Sequence, residues 1–494
     1  MIRLTRSFLT LWLLLILALS ASAAEIQPIK YVFLFIGDGM SIPQIQMTEE
    51  FLQKTENRGL KLHSMPYRSI TTTHGADVFV TESAAAATAI ASGSKTTSGG
   101  IGLDAEGNRV ETIAELALKN GRKVGILSSV TINHATPAAF YAHNPSRGNG
   151  YEIGLDLIAS NFHYFGGGGV SQNNDTNARL YRGDIYDLAK EAGYTVCRTA
   201  EEIRNLKPGG GKVMAFSNSD AISYAIDSGK DEIRLPEFTK QAIELLDNPN
   251  GFFMMVEGGK IDWACHGNDA ATAVHDTIEF DNAVSVAFDF AEKNPGDVLI
   301  VVTGDHETGM LSVSHSTTGS QVYVALLANQ KASKDVIAVN IEKFVKNNPS
   351  VTFEQFKPFI TEQTGLIFTD DGVWKRGTLS LTKDEMKILE DDFAVSKKAI
   401  EENSRAGKDK VALTMVRLVN NKSGLTWGGG GHTGLPVVTA TWGNQAAEIA
   451  LNVRDNTDIG KQLKQAVAPL SAKRGEQSDQ QRSVPRGINP RRIR

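Results

Sequence analysis

Carboxylates and imidazoles recur in this chain just beyond short apolar runs or beside glycines, at Asp38, Glu257, Asp262, His266, Asp305, His306 and His432. The densest stretch is 251–269. There Asp262 and His266 stand at i and i+4, the spacing that puts two side chains on one face of a helical turn. A carboxylate and an imidazole so placed can hold zinc, and Glu257 offers an oxygen ligand to a second, harder cation nearby. Alone, the pair reads equally as a helix N-cap and a surface histidine. The other segments shift that balance, because the seven residues together supply enough ligands for three metal ions.

Nucleophile and anion-binding residue types lie close by. Ser83 opens the small-residue run 84–93, which suits a tightly packed helix ended by Gly93. At a helix N-terminus its hydroxyl meets free N–H groups that favour a negative oxygen or a phosphate; the alternative there is a simple N-cap. Arg147 sits among turn formers, and a guanidinium can bind two phosphoryl oxygens at once. Outside such a site it would be a solvated charge. His134 and Thr136 add an imidazole and a hydroxyl past another apolar run.

The elements that must carry these residues are the apolar runs 31–36, 123–127, 252–256 and 298–302, read as buried strands of a parallel sheet. In open α/β sheets ligands bind outside the carboxyl ends of the strands, and Asp38, Glu257 and Asp305 fall there. The run 166–169 reads as a flexible glycine turn, since no Lys-Ser/Thr follows to make it a phosphate loop. Segment 173–240 extends the sheet. From 333 to 422 the pattern changes to polar amphipathic helices, an insertion between two core elements, before the glycine-rich loop that delivers His432 and a strand from 436 to 440.

With 494 residues and a net charge of −5, the chain can bury one large α/β core or two smaller ones and shows no sign of a nucleic-acid partner. Residues 1–23 read as a secretory signal: Arg3 and Arg6, an apolar core at 8–19, then Ala21-Ser22-Ala23. That core is short for a membrane span, so the expectation is a periplasmic or secreted protein without a stable membrane anchor. Residues 471–494 carry seven Lys/Arg against two Asp/Glu and read as a basic, disordered tail. Cys197 and Cys265 leave one disulfide open.

The motifs Gly37-Asp38-Gly39, Glu82-Ser83-Ala84, His134-Ala135-Thr136-Pro137, Glu257-Gly258-Gly259 with Asp262 and His266, Gly304-Asp305-His306-Glu307-Thr308-Gly309 and His432-Thr433-Gly434 resemble those of alkaline phosphatases, over 31–444. The resemblance implies a three-layer α/β/α domain, 25–470, around a large, mostly parallel sheet with a helical insertion. It also implies hydrolysis of phosphate monoesters through a phosphoserine at Ser83, with Arg147 as phosphate clamp. Two Zn2+ and one Mg2+ are implied: Asp262, His266 and His432 for the first zinc, Asp305 and His306 for the second. Asp38 would bridge the second zinc to a magnesium completed by Thr136 and Glu257. Glu82 departs from the usual Asp before the nucleophile, and His134 and Trp263 stand where some members have Asp and Lys. A homodimer is common in the family. The alternative is a related phosphodiesterase or sulfatase-like hydrolase.

Overall fold

The computed structural model describes residues 26–216 and 220–470; the expected signal at 1–23 and basic tail at 471–494 lie outside the described residues. Strand β1 (Tyr31–Gly37) is buried at every position. Its residues alternate between two cores: Tyr31, Phe33 and Phe35 face one hydrophobic cluster, and Val32, Leu34 and Ile36 face another. A strand apolar on both faces has to lie between two helical layers, and this one does.

Strands β7 (Phe252–Glu257) and β8 (Val298–Gly304) are likewise buried throughout, whereas β2 (Tyr67–Thr71) is mostly exposed. The thirteen described strands are completed by β3 (Lys123–Thr131), β4 (Tyr164–Gly168), β5 (Tyr194–Cys197), β6 (Lys212–Phe216), the short β9 (Glu307–Thr308), β10 (Leu311–Ser312), β11 (Thr426–Trp427) and β12 (His432–Thr433), and β13 (Val437–Gly443). Nine of them form one sheet in the order β2-β13-β8-β1-β7-β3-β4-β6-β5. Within it β13 runs antiparallel to β8 and β2, and the other pairings are parallel. The α/β class with a mostly parallel central sheet is thereby established.

The helices that matter for the site are α1 (Ile42–Thr55), α2 (Ser83–Ser92), α3 (Lys260–His266) and α4 (Ala270–Lys293). Four more, α5 (Lys334–Asn347), α6 (Phe353–Thr364), α7 (Lys383–Glu401) and α8 (Lys410–Ser423), fill the chain between β10 and β11. Their apolar residues, among them Ile341, Phe356 and Val419, continue the cluster that covers the Phe33 face of the sheet. Two small antiparallel ladders close the base of this excursion: Leu311 pairs with Trp427, and Thr308 pairs with His432.

The glycines at 166–168 are not a turn. They form most of β4, and the strand needs them because β3 bulges toward it between Ser128 and Thr131. A Cβ on Gly167 would stand 1.8 Å from the Ser128 carbonyl oxygen, and φ there is +120°. Neither cysteine pairs: Cys197 and Cys265 are both free and buried.

Candidate active site

The four central strands β8, β1, β7 and β3 end side by side, and the chain just past those ends supplies Asp305 and His306, Asp38, Glu257, and His134 with Thr136. Sheet geometry therefore gathers residues that are far apart in sequence. Gly39 lets β1 turn directly under the site: φ is +71°, and a Cβ would lie 2.9 Å from the Asp262 Cα. Its N–H donates to Asp305 Oδ1 at 3.1 Å.

Three overlapping clusters result, each with its ligand atoms within 4.8 Å of one another: Asp262, His306 and His432; Asp38, Asp305 and His306; and Asp38, His134 and Glu257. His306 lies between the first two, so it is not confined to the Asp305 side. Its Nε2 stands 3.4 Å from both Asp38 Oδ1 and Asp305 Oδ2. His266 joins the first cluster through Asp262 Oδ2 at 3.2 Å, one helical turn back on α3. Thr136 Oγ1 donates to Asp38 Oδ2 at 3.4 Å.

The donor set fits cations. His266 Nδ1 meets the Gly430 carbonyl at 2.5 Å and His432 Nδ1 meets the Thr81 carbonyl at 3.0 Å. Each carbonyl takes the N–H of Nδ1, so in the neutral imidazoles Nε2 is the lone-pair atom; the two Nε2 atoms lie 3.2 Å apart, with Asp262 Oδ2 3.2 Å from that of His266. A cation there would satisfy both imidazoles and the carboxylate together, where a proton on His266 Nε2 satisfies them otherwise. Buried Asp38 Oδ1, Glu257 Oε1 and Asp305 Oδ2 have no hydrogen-bond partner, nor has His134 Nδ1. A buried carboxylate oxygen without a donor is costly unless a cation faces it.

Electrostatics agree. Burial first, and then the charges of Asp305, Asp262 and Glu257, push Asp38 well above the usual carboxylate range. Asp305 is raised by burial and by Asp262, and burial lifts Glu257 to about 7. Burial also raises Asp262, but the hydrogen bond to His266 and the nearby histidines overcome it and bring it well below the normal value. His306 is held down to about 3 by burial and by His432, and His134 to about 4 by burial and by Arg147. Four crowded carboxylates beside neutral imidazoles are what a multi-cation site looks like before its charge is balanced.

Ser83 is the first residue of α2 and is buried, with Oγ 3.4 Å from His306 Nε2. It does not cap the helix. Glu82 does, accepting from Ala84 N at 2.9 Å and Ala85 N at 2.8 Å, which leaves the Ser83 hydroxyl to the site. Glu82 also takes Gly99 N at 2.9 Å and Arg147 Nη1 at 2.6 Å. Arg147 Nη2 donates to His134 Nε2 at 3.0 Å, so the guanidinium is held from two sides next to the serine. Trp263 stands edge-on to His134, ring centres 6.1 Å apart, with the Lys260 ammonium 4.6 Å over its own ring.

The alkaline phosphatase family model matches residues 29–468. The chain belongs to the alkaline phosphatase family. It is an enzyme of that family, a phosphoric monoester hydrolase. Alkaline phosphatases 4 and 3 of Bacillus subtilis are 29% and 30% identical to it over 460 and 457 residues, 89% of this chain in each case and 90% and 89% of theirs. The crystal structure of a cold-active alkaline phosphatase from a psychrophilic Shewanella sp. aligns with a TM-score of 0.74 at 25% identity, over 88% of this chain and 99% of that one. The Thermus thermophilus alkaline phosphatase has the same fold, with a TM-score of 0.74 at 24% identity over 89% and 91% of the two chains.

Several residues of this phosphatase site escape a reading by residue type. Thr308 Oγ1 donates to Asp262 Oδ1 at 2.5 Å and lies 3.3 Å from His306 Nδ1, linking two clusters. Buried Glu307 accepts from Gln44 Nε2 at 2.9 Å and from Thr433 Oγ1 at 2.6 Å, which ties α1 and β12 to the His306 segment. Ser128 donates to Glu257 Oε2. Thr308 and Glu307 lie inside the Gly304–Gly309 motif and were within reach; Gln44 and Ser128 carry no local signal.

Proposed function

We propose that this phosphatase hydrolyses phosphate monoesters through a covalent phosphoserine at Ser83, with two zinc ions and one magnesium ion. The observation that carries the reading is the position of the Ser83 hydroxyl: uncapped, buried, at a helix N-terminus and in contact with the cluster that joins the carboxylates and imidazoles. Asp262, His266 and His432 would hold one zinc, Asp305, His306 and Asp38 the other, and Asp38, Thr136 and Glu257 the magnesium. With Nε2 accepting from Arg147, His134 Nδ1 carries the proton, so this histidine would meet the magnesium region through a bound water and not as a direct ligand. Bound cations supply positive charge that lowers the pKa of oxygens placed against them and offsets charge on the transferring group.

The chain's own residues define the path. Ser83 Oγ bonds to phosphorus as the ester oxygen departs with the alcohol; water then bonds to phosphorus and the Ser83 oxygen leaves, so two in-line displacements give net retention. Arg147, oriented by Glu82 and His134, holds two phosphoryl oxygens in both steps. An expected secretory signal supports periplasmic or secreted placement, and no helix among the described residues is long and apolar enough to cross a membrane.

The test is hydrolysis of p-nitrophenyl phosphate at about pH 9–10 with zinc and magnesium present. Robust turnover is expected, with Ser83→Ala reducing kcat at least about a thousandfold. Preference for bis-p-nitrophenyl phosphate would overturn the monoester assignment, and undiminished turnover by Ser83→Ala would overturn the nucleophile.

A further inference from the structure

The open side of the site carries an apolar rim that the chemistry above does not use. Ser83, Asp38, Asp305 and His306 are buried, whereas the His266 side chain is 41% exposed. The organic group of an ester therefore has room on the His266–His432 side. On that side, Val78, Phe79 and Val80 are three successive apolar residues exposed at 37%, 75% and 45%. The next residue, Thr81, is buried and accepts from His432 Nδ1 at 3.0 Å before the chain enters Glu82 and Ser83.

The display is held in place. Gly75 N donates to the Val78 carbonyl at 2.9 Å, and Ser98 N donates to the Asp77 carboxylate at 3.0 Å. The Phe79 ring rests on Gly434, where a Cβ would stand 2.4 Å from a ring carbon, two residues past His432. Leu435 follows, 45% exposed. Contiguous exposed apolar side chains on an ordered backbone mark a binding surface more often than chance exposure does.

We propose that Phe79, Val80 and Leu435 form a subsite for the apolar organic group of the substrate. This phosphatase then prefers monoesters of long-chain or ring-bearing alcohols over those of short or polar alcohols. The inference rests on the monoesterase reading and deepens it. Continuity carries the assignment: the strap leads directly into the nucleophile, and its ring packs on the loop of a candidate ligand. Covering part of an alkyl chain removes apolar area from water, and full burial of a methylene is worth about 0.8 kcal/mol.

The n-alkyl phosphates from ethyl to hexyl test this, because the leaving alcohol keeps nearly the same acidity along the series. With the zinc- and magnesium-loaded enzyme, kcat/KM is expected to rise about tenfold from ethyl to hexyl phosphate, the size expected for partial burial. Phe79→Ser should bring the hexyl-to-ethyl ratio to within about twofold of unity, and Phe79→Tyr should keep the slope because the ring remains. Inhibition by inorganic phosphate, measured on each variant, reports whether the anion site is folded. A flat series in the unmodified enzyme, or a slope that survives Phe79→Ser, overturns the proposal. So does a Phe79-dependent dimer in light scattering together with a flat series, which would make the rim a contact between two copies. Failure to turn over any alkyl or aryl monoester is a different result, and it removes the monoesterase reading itself.

Discussion

At the scale of single residues, Glu82 is the link between the start of the Ser83 helix and Arg147. A carboxylate there serves four donors at once: the N–H groups of Ala84, Ala85 and Gly99, and Arg147 Nη1. Burial pushes its pKa up, but these donors more than reverse that and leave it below the ordinary value. The Glu82 side chain caps α2 and still reaches the guanidinium, so one carboxylate fixes both the helix start and Arg147. Glu82→Gln tests this, because an amide offers one acceptor oxygen and turns an N–H2 toward remaining donors. The expected result is a rise of about tenfold or more in the inhibition constant for inorganic phosphate, from loss of a charge-assisted bond that orients Arg147. The cap loses about 1 kcal/mol as well, visible as a lower Tm. Unchanged phosphate inhibition would mean that Arg147 is positioned by His134 alone.

At the scale of elements, strand ends and helix starts were legible because they obey local rules. Buried apolar runs had to be strands, and ligand-type residues just past them had to meet at the carboxyl edge of a sheet. Two features were not legible for a physical reason: they depend on partners distant in sequence. One is the ladder of β9 on β12, which stacks the His306 and His432 rings with centres 3.7 Å apart across the whole helical insertion. The other is β4, whose glycines resembled a turn because glycine usually signals one, whereas here they answer the bulge in the neighbouring β3. The Ser83 cap was open for a different, local reason: serine is the commoner N-cap, and only the structure reveals that the neighbouring Glu82 takes the Ala84 and Ala85 N–H groups. Gly167→Ala gives the β4 explanation a direct check. A methyl 1.8 Å from the Ser128 carbonyl, at φ +120°, should cost about 3 kcal/mol or more and lower Tm or soluble yield sharply. Near-normal stability would mean that β3 can straighten, and the strand would owe nothing to glycine.

At the scale of the whole molecule, the sheet's central carboxyl edge concentrates negative charge that the protein alone does not balance, so stability and metal occupancy have to be linked. The sign of the pH effect follows from the shifts. Glu257 is raised to about 7, so its contribution in the metal-free protein is fully present below its unfolded pKa and is lost as pH rises through about 7. Asp38 and Asp305 are raised as well and act in the same direction. His134 and His306 are depressed to about 4 and about 3, so their contribution is present above about 6.5 and is lost only as pH falls toward those values. Above about pH 6.5 the effect of His134 and His306 levels off, while His266, raised by its hydrogen bond to Asp262, still titrates and acts in the same direction as the carboxylates. Metal-free protein prepared with a chelator should therefore lose Tm steadily between about pH 6.5 and 8, whereas protein reloaded with zinc and magnesium should not, because cations favour the ionised carboxylates that destabilise the empty site. Across that window the gap between the two melting curves should widen by about 1 kcal/mol from Glu257 alone, because most of the effect of its raised pKa falls between about pH 4.5 and 6.5. Differential scanning calorimetry of both forms across that range measures it. Parallel curves would mean that the carboxylates are neutralised within the protein, and that the orphaned oxygens of Asp38, Glu257 and Asp305 do not face a cation.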